Sequence, residues 1–482
     1  MGGGGAATID VGELAMTVDG RRVPVGPGFN VLNPATNRVL GSAPSCTPEV
    51  LDEAIGSAGA AFTAWQADDS ARRAVLAGAA GVIREAADEL ALLVTSEQGK
   101  PLADAHHEVR WGADCLDYYA SIPPASTVVR DDQAGKIEVL RRPVGPVAAI
   151  TPWNFPVSTV CTKLAPALAA GNTVVLKPSP YTPLATLRLG ELLREVFPPG
   201  VLNVVSGGDM LGRCLVSDPR IRFVTLTGST ETGREVAAAV GRDLKHMTLE
   251  LGGNDAAILL DDVDAASTAR RLFWRAFGNC GQVCAGIKRV YVPARLHDEF
   301  VAAMAELARE ARVGPGLDDG VQMGPVNNAP QLERVAGLVR DAQSHGGVAV
   351  AGGRRTDHEG NFFPPTIIAG VTDGVRLVDE EQFGPVLPVI AYRDEADAVA
   401  RANASSFGLG GSVWSDDVER GEAVARRLEC GTAWVNTHAN LAVDVPFSGH
   451  KASGIGAELG VAALEACTDV QVVWTHRRKV AA

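Results

Sequence analysis

No run of uncharged apolar residues in this 482-residue chain approaches the length of a bilayer span, which argues against a helical membrane protein. A secretory leader is also lacking. Met1-Gly2-Gly3-Gly4-Gly5 has neither a basic nor an apolar segment, and residues 1–29 read as a flexible tail and lead-in. Basic charge is scarce: the net charge of −13 excludes general nucleic-acid binding, because phosphate contacts need a basic surface. The basic run Arg477-Arg478-Lys479 reads as a solvated tail. Cys280 and Cys284 have no histidine near them in sequence, so no metal site is expected there. The eight cysteines, at positions 46, 115, 161, 214, 280, 284, 430 and 467, are too scattered for a disulfide framework. Reduced thiols fit a cytoplasmic location.

What is present is the balance of a soluble globular protein, 46% apolar and 21% charged, in a chain long enough for two or three domains. From 48 to 119 apolar positions such as Val75, Ala79, Val82, Ile83, Ala86 and Leu90 recur at helical spacing. Residues 136–142 alternate as a strand. Beyond Pro143, short buried strands at 147–150, 173–177, 201–205 and 223–226 alternate with helices near 159–170, 182–196 and 208–217. That alternation predicts an open parallel α/β sheet with right-handed crossovers, and ligands at the carboxyl ends of its strands. It restarts at Asp255, with strands at 256–260 and 289–292 and helices at 263–277 and 296–311, which predicts a second α/β unit. Residues 313–330, rich in Gly and Pro, read as a surface connection. Residues 469–475 alternate as a final strand, expected to pair with 136–142 or with another subunit.

Three short segments carry chemistry. In Phe277-Gly278-Asn279-Cys280-Gly281-Gln282-Val283-Cys284 a cysteine follows a small glycine turn. A thiol can add to a carbonyl carbon and make it able to expel hydride. In Thr248-Leu249-Glu250-Leu251-Gly252-Gly253 a carboxylate stands between two leucines and before a glycine pair, which is no surface texture. Such a carboxylate can activate the water that hydrolyses an acyl-enzyme, the more so if burial raises its pKa. In Pro152-Trp153-Asn154-Phe155-Pro156 prolines fix the backbone around an asparagine. Its amide, with the N–H of Cys284, can hold the oxygen that turns negative on attack. Cys280 reads as a structural thiol.

In this order the three segments resemble the aldehyde dehydrogenase superfamily, and the likeness runs from about residue 30 to about residue 475. It implies an aldehyde dehydrogenase-like α/β fold: two open parallel sheets plus a β-arm for oligomerisation. The cofactor domain would take residues 30–119 and 143–252, the catalytic domain 253–452, and the arm 120–142 and 453–482. The implied activity is oxidation of an aldehyde to the acid with NAD or NADP, through a thiohemiacetal on Cys284. Glu250 implies free acid as product, since relatives that acylate coenzyme A generally lack it. A homodimer or homotetramer is implied, with a small-molecule aldehyde as substrate and neither nucleic acid nor membrane as partner.

The ordinary Gly-x-Gly-x-x-Gly fingerprint is missing. Instead Thr227-Gly228-Ser229-Thr230-Glu231-Thr232-Gly233 follows a strand and opens a helix whose free N–H groups can take a pyrophosphate. By resemblance Lys177 reaches the adenosine ribose, with Ser179 and Pro180 beside it. Glu381 holds the nicotinamide ribose, Phe383 packs against it, and Trp153, Leu251 and Gly252 complete the site. Much of the family carries a glutamate three residues after the lysine. Pro180 in its place removes an attraction for NAD and a repulsion against NADP, so dual use is expected. A second departure is Asn254-Asp255, where a lysine is frequent. The substrate pocket is expected at Thr159, Thr162, Gly278, Val283 and the loop from His438 to Val445, small or mildly polar positions that suit a medium or bulky aldehyde. Two other readings remain, a catalytically idle relative and a cysteine thioesterase.

Overall fold

Valine, alanine and leucine runs with no exposed face fit only strands covered on both sides. The computed structural model, which describes residues 12–24, 27–122 and 126–477, places them so. Val147, Ala148, Val174, Val175, Leu176 and Val224 are fully buried. Their strands form an eight-stranded sheet among the described residues. Leu202–Val204, Thr173–Lys177, Pro146–Ile150, Phe223–Thr227 and His246–Glu250 run parallel in that order. Ile150 pairs with Lys177 and Thr227 with Glu250, so the register brings these carboxyl-end residues to one edge.

The second sheet is also mostly parallel. Thr366–Ala369, Val386–Tyr392, Ile287–Pro293, Asp255–Leu259, Gly410–Trp414 and Thr432–Val435 follow one another, with Val348–Ala351 antiparallel at one side. The segments with Cys284 and Glu381 lie just before the amino ends of Ile287–Pro293 and Val386–Tyr392. One sheet thus works through its carboxyl edge and the other through its amino edge. A third, antiparallel sheet joins Thr468–His476 to Gly135–Pro143, and that strand to Ser126–Asp131. Among the described residues no helix is long and apolar enough to cross a membrane.

Four expectations need correction. The lead-in expected to be flexible contributes a strand: in Met16–Val18 every side chain is buried, and Thr17 pairs with Val204 of the first sheet. Three residues are too few to show a period, which hid it from the sequence. Residues 1–11 lie outside the described residues. The arm begins later than 453, because Gly454–Ile455 is the far edge strand of the first sheet, paired with His246–Glu250. The connection at 313–330 is not a surface segment throughout. Met323 and Val326 are fully buried, and Asn327 donates to the Glu97 carbonyl (2.9 Å) while its N–H reaches Gln282 Oε1 (2.8 Å). Arg477 is no free tail, since it pairs with Asp131 at 2.6 Å; Arg478 and Lys479 lie outside the described residues.

Candidate active site

The helix Ala265–Phe277 stops at Gly278, and the chain then makes a turn that side chains rarely adopt. Asn279, Cys280 and Gly281 have φ of 49°, 59° and 67°. A β-carbon at Gly281 would stand 2.3 Å from the Gly384 carbonyl oxygen, so only glycine passes there. Left-handed Asn279 and Cys280 are costly and persist because neighbours hold them. Gln282 Nε2 donates to the Asn279 carbonyl (2.9 Å), and Asn279 Nδ2 donates to the Asn154 carbonyl (3.0 Å). The turn delivers Cys284 to a cavity and leaves Cys280 enclosed in the core of the second unit. Burial pushes the Cys280 thiol up, as suits a structural residue.

Cys284, Glu250 and Asn154 line one cavity of about 470 Å3. Asn154 donates one amide hydrogen to the Gln282 carbonyl (2.9 Å), which fixes its side chain. Glu250, at the end of its strand, is buried, and its Oε1 has no hydrogen-bond partner. Burial raises its pKa well above the carboxylate range; Glu458 raises it further, while Lys163 and Cys284 pull it down. Burial also pushes the Cys284 thiol well above its ordinary value, and Glu250 adds to that, against the Lys288 ammonium. Lys288, which sequence reasoning did not single out, is buried behind the loop and donates to the carbonyls of Val283 and Gly286.

The positions expected to hold a cofactor gather at the adjoining edge. Ser229 caps the helix Thr230–Arg242 by accepting the Thr232 N–H (3.2 Å), Gly228 donates to the Glu250 carbonyl (3.1 Å), and Gly233 lies against Leu251. Glu381 Oε1 accepts the Gly253 N–H (3.0 Å), and Gly252 admits that carboxylate because a β-carbon would meet its Oε2 at 2.4 Å. Burial raises Glu381 to about 6, offset by Lys288. The Trp153 and Phe383 rings meet edge to face at 5.3 Å. Among the described residues Lys177 bonds only its neighbour, the Pro178 carbonyl (3.2 Å), and burial lowers it to about 8 against the pull of Asp209. Ser179 is buried and accepts the Tyr181 N–H (3.3 Å), with Pro180 half-buried between them. Asp209, which opens the helix Asp209–Ser217, was missed; the Gly207-Gly208 pair before it was the available signal. The Thr227 hydroxyl donates to Glu458 (3.3 Å), and both residues line the cavity that holds Cys284.

Thr159, Thr162, Gly278 and Val283 all line that cavity, joined by Trp111, Phe155, Leu441 and Phe447. His438 does not. It is fully buried, with Nδ1 2.9 Å from Ser412 Oγ and Nε2 3.4 Å from Asp255 Oδ2, and its ring packs on Trp434. The loop reaches the cavity through residues 439–441 instead. An imidazole bonded to Ser412 and packed on Trp434 is held inward, which spacing alone does not reveal.

A family model described as the aldehyde dehydrogenase family matches residues 24–473. A betaine aldehyde dehydrogenase of Cereibacter sphaeroides is 40% identical over 464 residues, covering 95% of this chain and 96% of that protein. The NADP(+) succinate-semialdehyde dehydrogenase of Escherichia coli is 38% identical over 439 residues, covering 90% and 91%. Among solved structures, betaine aldehyde dehydrogenase from Staphylococcus aureus in complex with NAD+ superposes with a TM-score of 0.94 at 30% identity, covering 97% of this chain and 95% of that one. An NAD+ complex of an aldehyde dehydrogenase from Bacillus cereus gives 0.94 at 34% identity, with 97% of each chain covered.

Proposed function

The chain belongs to the aldehyde dehydrogenase family, oxidoreductases that act on aldehydes, and from that premise we propose its chemical course: an aldehyde becomes a carboxylic acid through an acyl-enzyme on Cys284. The observation that carries this reading is the meeting of Cys284, Glu250 and Asn154 in one cavity, with a Glu250 oxygen that no protein group satisfies. The Cys284 sulfur adds to the carbonyl carbon as its proton passes to the Glu250 carboxylate. The electron pair moves onto oxygen, which the second amide hydrogen of Asn154 and the Cys284 N–H receive. Bound NAD(P)+ supplies the acceptor for the hydride that leaves as the carbonyl re-forms. Glu250, having released its proton to solvent, then takes one from water, which adds to the thioester and expels the thiolate.

The residues present fit such a cofactor. Among the described residues Lys177 bonds no group beyond Pro178, the helix start at Ser229 can take a pyrophosphate, and Glu381 keeps Oε2 beside Gly252. Lys177 and the absence of a carboxylate at Pro180 support use of either NAD or NADP. The apolar walls from Trp111, Phe155, Leu441 and Phe447 suit a medium or bulky aldehyde. A panel of aldehydes read by reduced-nicotinamide absorbance, with NAD and NADP in parallel, tests the reading. Reduction that Cys284→Ala leaves intact would refute it.

The arm supports a homodimer or homotetramer. Val470, Val472 and Trp474 are 57%, 56% and 70% exposed, and Ser126–Asp131 is an uncovered edge strand. Such an edge is ordinarily closed by symmetric pairing. Light scattering at micromolar concentration should give a multiple of the 50.2 kDa chain mass, and a monomer would contradict it.

A further inference from the structure

Lys100 and Glu108 lie in the wall of the same cavity, and no step of the proposed reaction uses them. Their side chains form an ion pair, each only 1% exposed. Enclosing two charges rarely gains stability over an apolar pair of the same size, so stability alone explains this one poorly. Their remaining hydrogen bonds have one target. Lys100 Nζ donates to the Asn154 carbonyl (2.9 Å) and lies 3.8 Å from the centre of the Phe155 ring. Glu108 Oε1 accepts the N–H groups of Val157 (2.8 Å) and Ser158 (3.3 Å), where the helix Ser158–Ala169 begins. The pair therefore grips residues 154–158 from both ends. Asn279 Nδ2 reaches the same Asn154 carbonyl from the nucleophile loop (3.0 Å), so the two segments share one anchor.

We propose that Lys100 and Glu108 are positioning residues that hold Asn154 where its amide meets the oxygen of the attacked carbonyl. This rests on the reaction proposed above. An oxyanion donor acts only when fixed beforehand, because a donor that must reorganise gives up most of its advantage. The charges serve here as rigid hydrogen-bonding groups on the backbone of the Asn154 segment, and neither touches the reacting atoms.

The test uses Lys100→Met/Glu108→Gln, which removes both charges together and leaves neither buried alone. Three rates are read: aldehyde oxidation, hydrolysis of 4-nitrophenyl acetate, and alkylation of Cys284 by iodoacetamide. The first two develop an oxyanion and the third does not. The expected result is a loss of roughly 10- to 100-fold in kcat/KM for the first two, below the 10²–10³ of losing an oxyanion donor outright. Alkylation should stay within about twofold, as should NAD affinity read by tryptophan quenching. Placed on Asn154→Ala, the same double change should cost under about threefold, because the group it positions is already gone.

Three results would overturn the proposal: ester and aldehyde rates unchanged, alkylation falling in parallel, or a full penalty persisting on Asn154→Ala. A double variant that yields no cofactor-binding protein would assign the pair to stability and also overturn it. Should the parent protein oxidise no aldehyde yet show the ester and alkylation pattern, the reaction would fall and the clamp would stand.

Discussion

The loop proposed to carry the nucleophile, residues 278–284, and the corner proposed to hold the cofactor, residues 177–180, are built by opposite means. In the loop the amide side chains and several carbonyls are tied to one another. Asn279, Gln282, Asn154 and Asn327 exchange hydrogen bonds, and a glycine passes where no β-carbon can. At the corner Lys177 bonds only its own neighbour among the described residues, and Pro180 offers no polar side chain. Chemistry needs atoms held to a fraction of an ångström, whereas cofactor preference is a balance of charges acting over several. The contrast predicts all-or-none effects in the loop and graded ones at the corner.

The sharpest way to break the comparison is the pair of cysteines four residues apart. Cys284→Ala should abolish oxidation, by at least about a thousandfold, while leaving cofactor binding intact. Cys280→Ala removes a buried thiol from the core and should act on thermal stability more than on turnover. The reverse pattern would move the nucleophile to Cys280.

Glu250→Gln comes next. The amide keeps the shape but cannot take a proton, so acid release should slow by roughly 10²- to 10⁴-fold. Single-turnover formation of reduced cofactor should slow as well, because the same carboxylate takes the thiol proton. An unchanged steady-state rate would take Glu250 out of the mechanism.

At the corner the effects are smaller. Lys177 loses its charge as pH rises through about 8. Its attraction for a 2′-phosphate should weaken with it, whereas ribose hydroxyls depend less on that charge. The ratio of kcat/KM for NADP over NAD should therefore fall, by up to about tenfold, between pH 7 and 9. A ratio independent of pH would mean that Lys177 does not face the 2′ position. Pro180→Glu should penalise NADP selectively, also by about tenfold, since a carboxylate there repels the phosphate. Strict NAD use by the parent would point to another excluding group, and Asp209, whose charge already acts on Lys177, is the one the structure offers.

Much of the fold was legible in the chain itself, and so were the three residues that meet in one cavity. Alternating buried strands and helices predicted two parallel sheets, and the glycine-bounded turns marked Cys284 and Glu250, because local backbone demands leave local signatures. The pairing of 136–142 with 469–475 was open until the sheet register decided it. Other features exist only once distant segments meet. Lys100 and Glu108 are eight residues apart, but their work is done on residues 154–158. His438 looked available in a polar loop, and its bond to Ser412 and packing on Trp434 turn it inward. The raised pKa of Glu250 comes from burial and from Glu458, and that of Cys284 from burial and from Glu250, 34 residues away in the chain. A sequence states which groups are present and how the local backbone bends; hydrogen-bond partners and local dielectric belong to the assembled interior, and only the tertiary structure decides them.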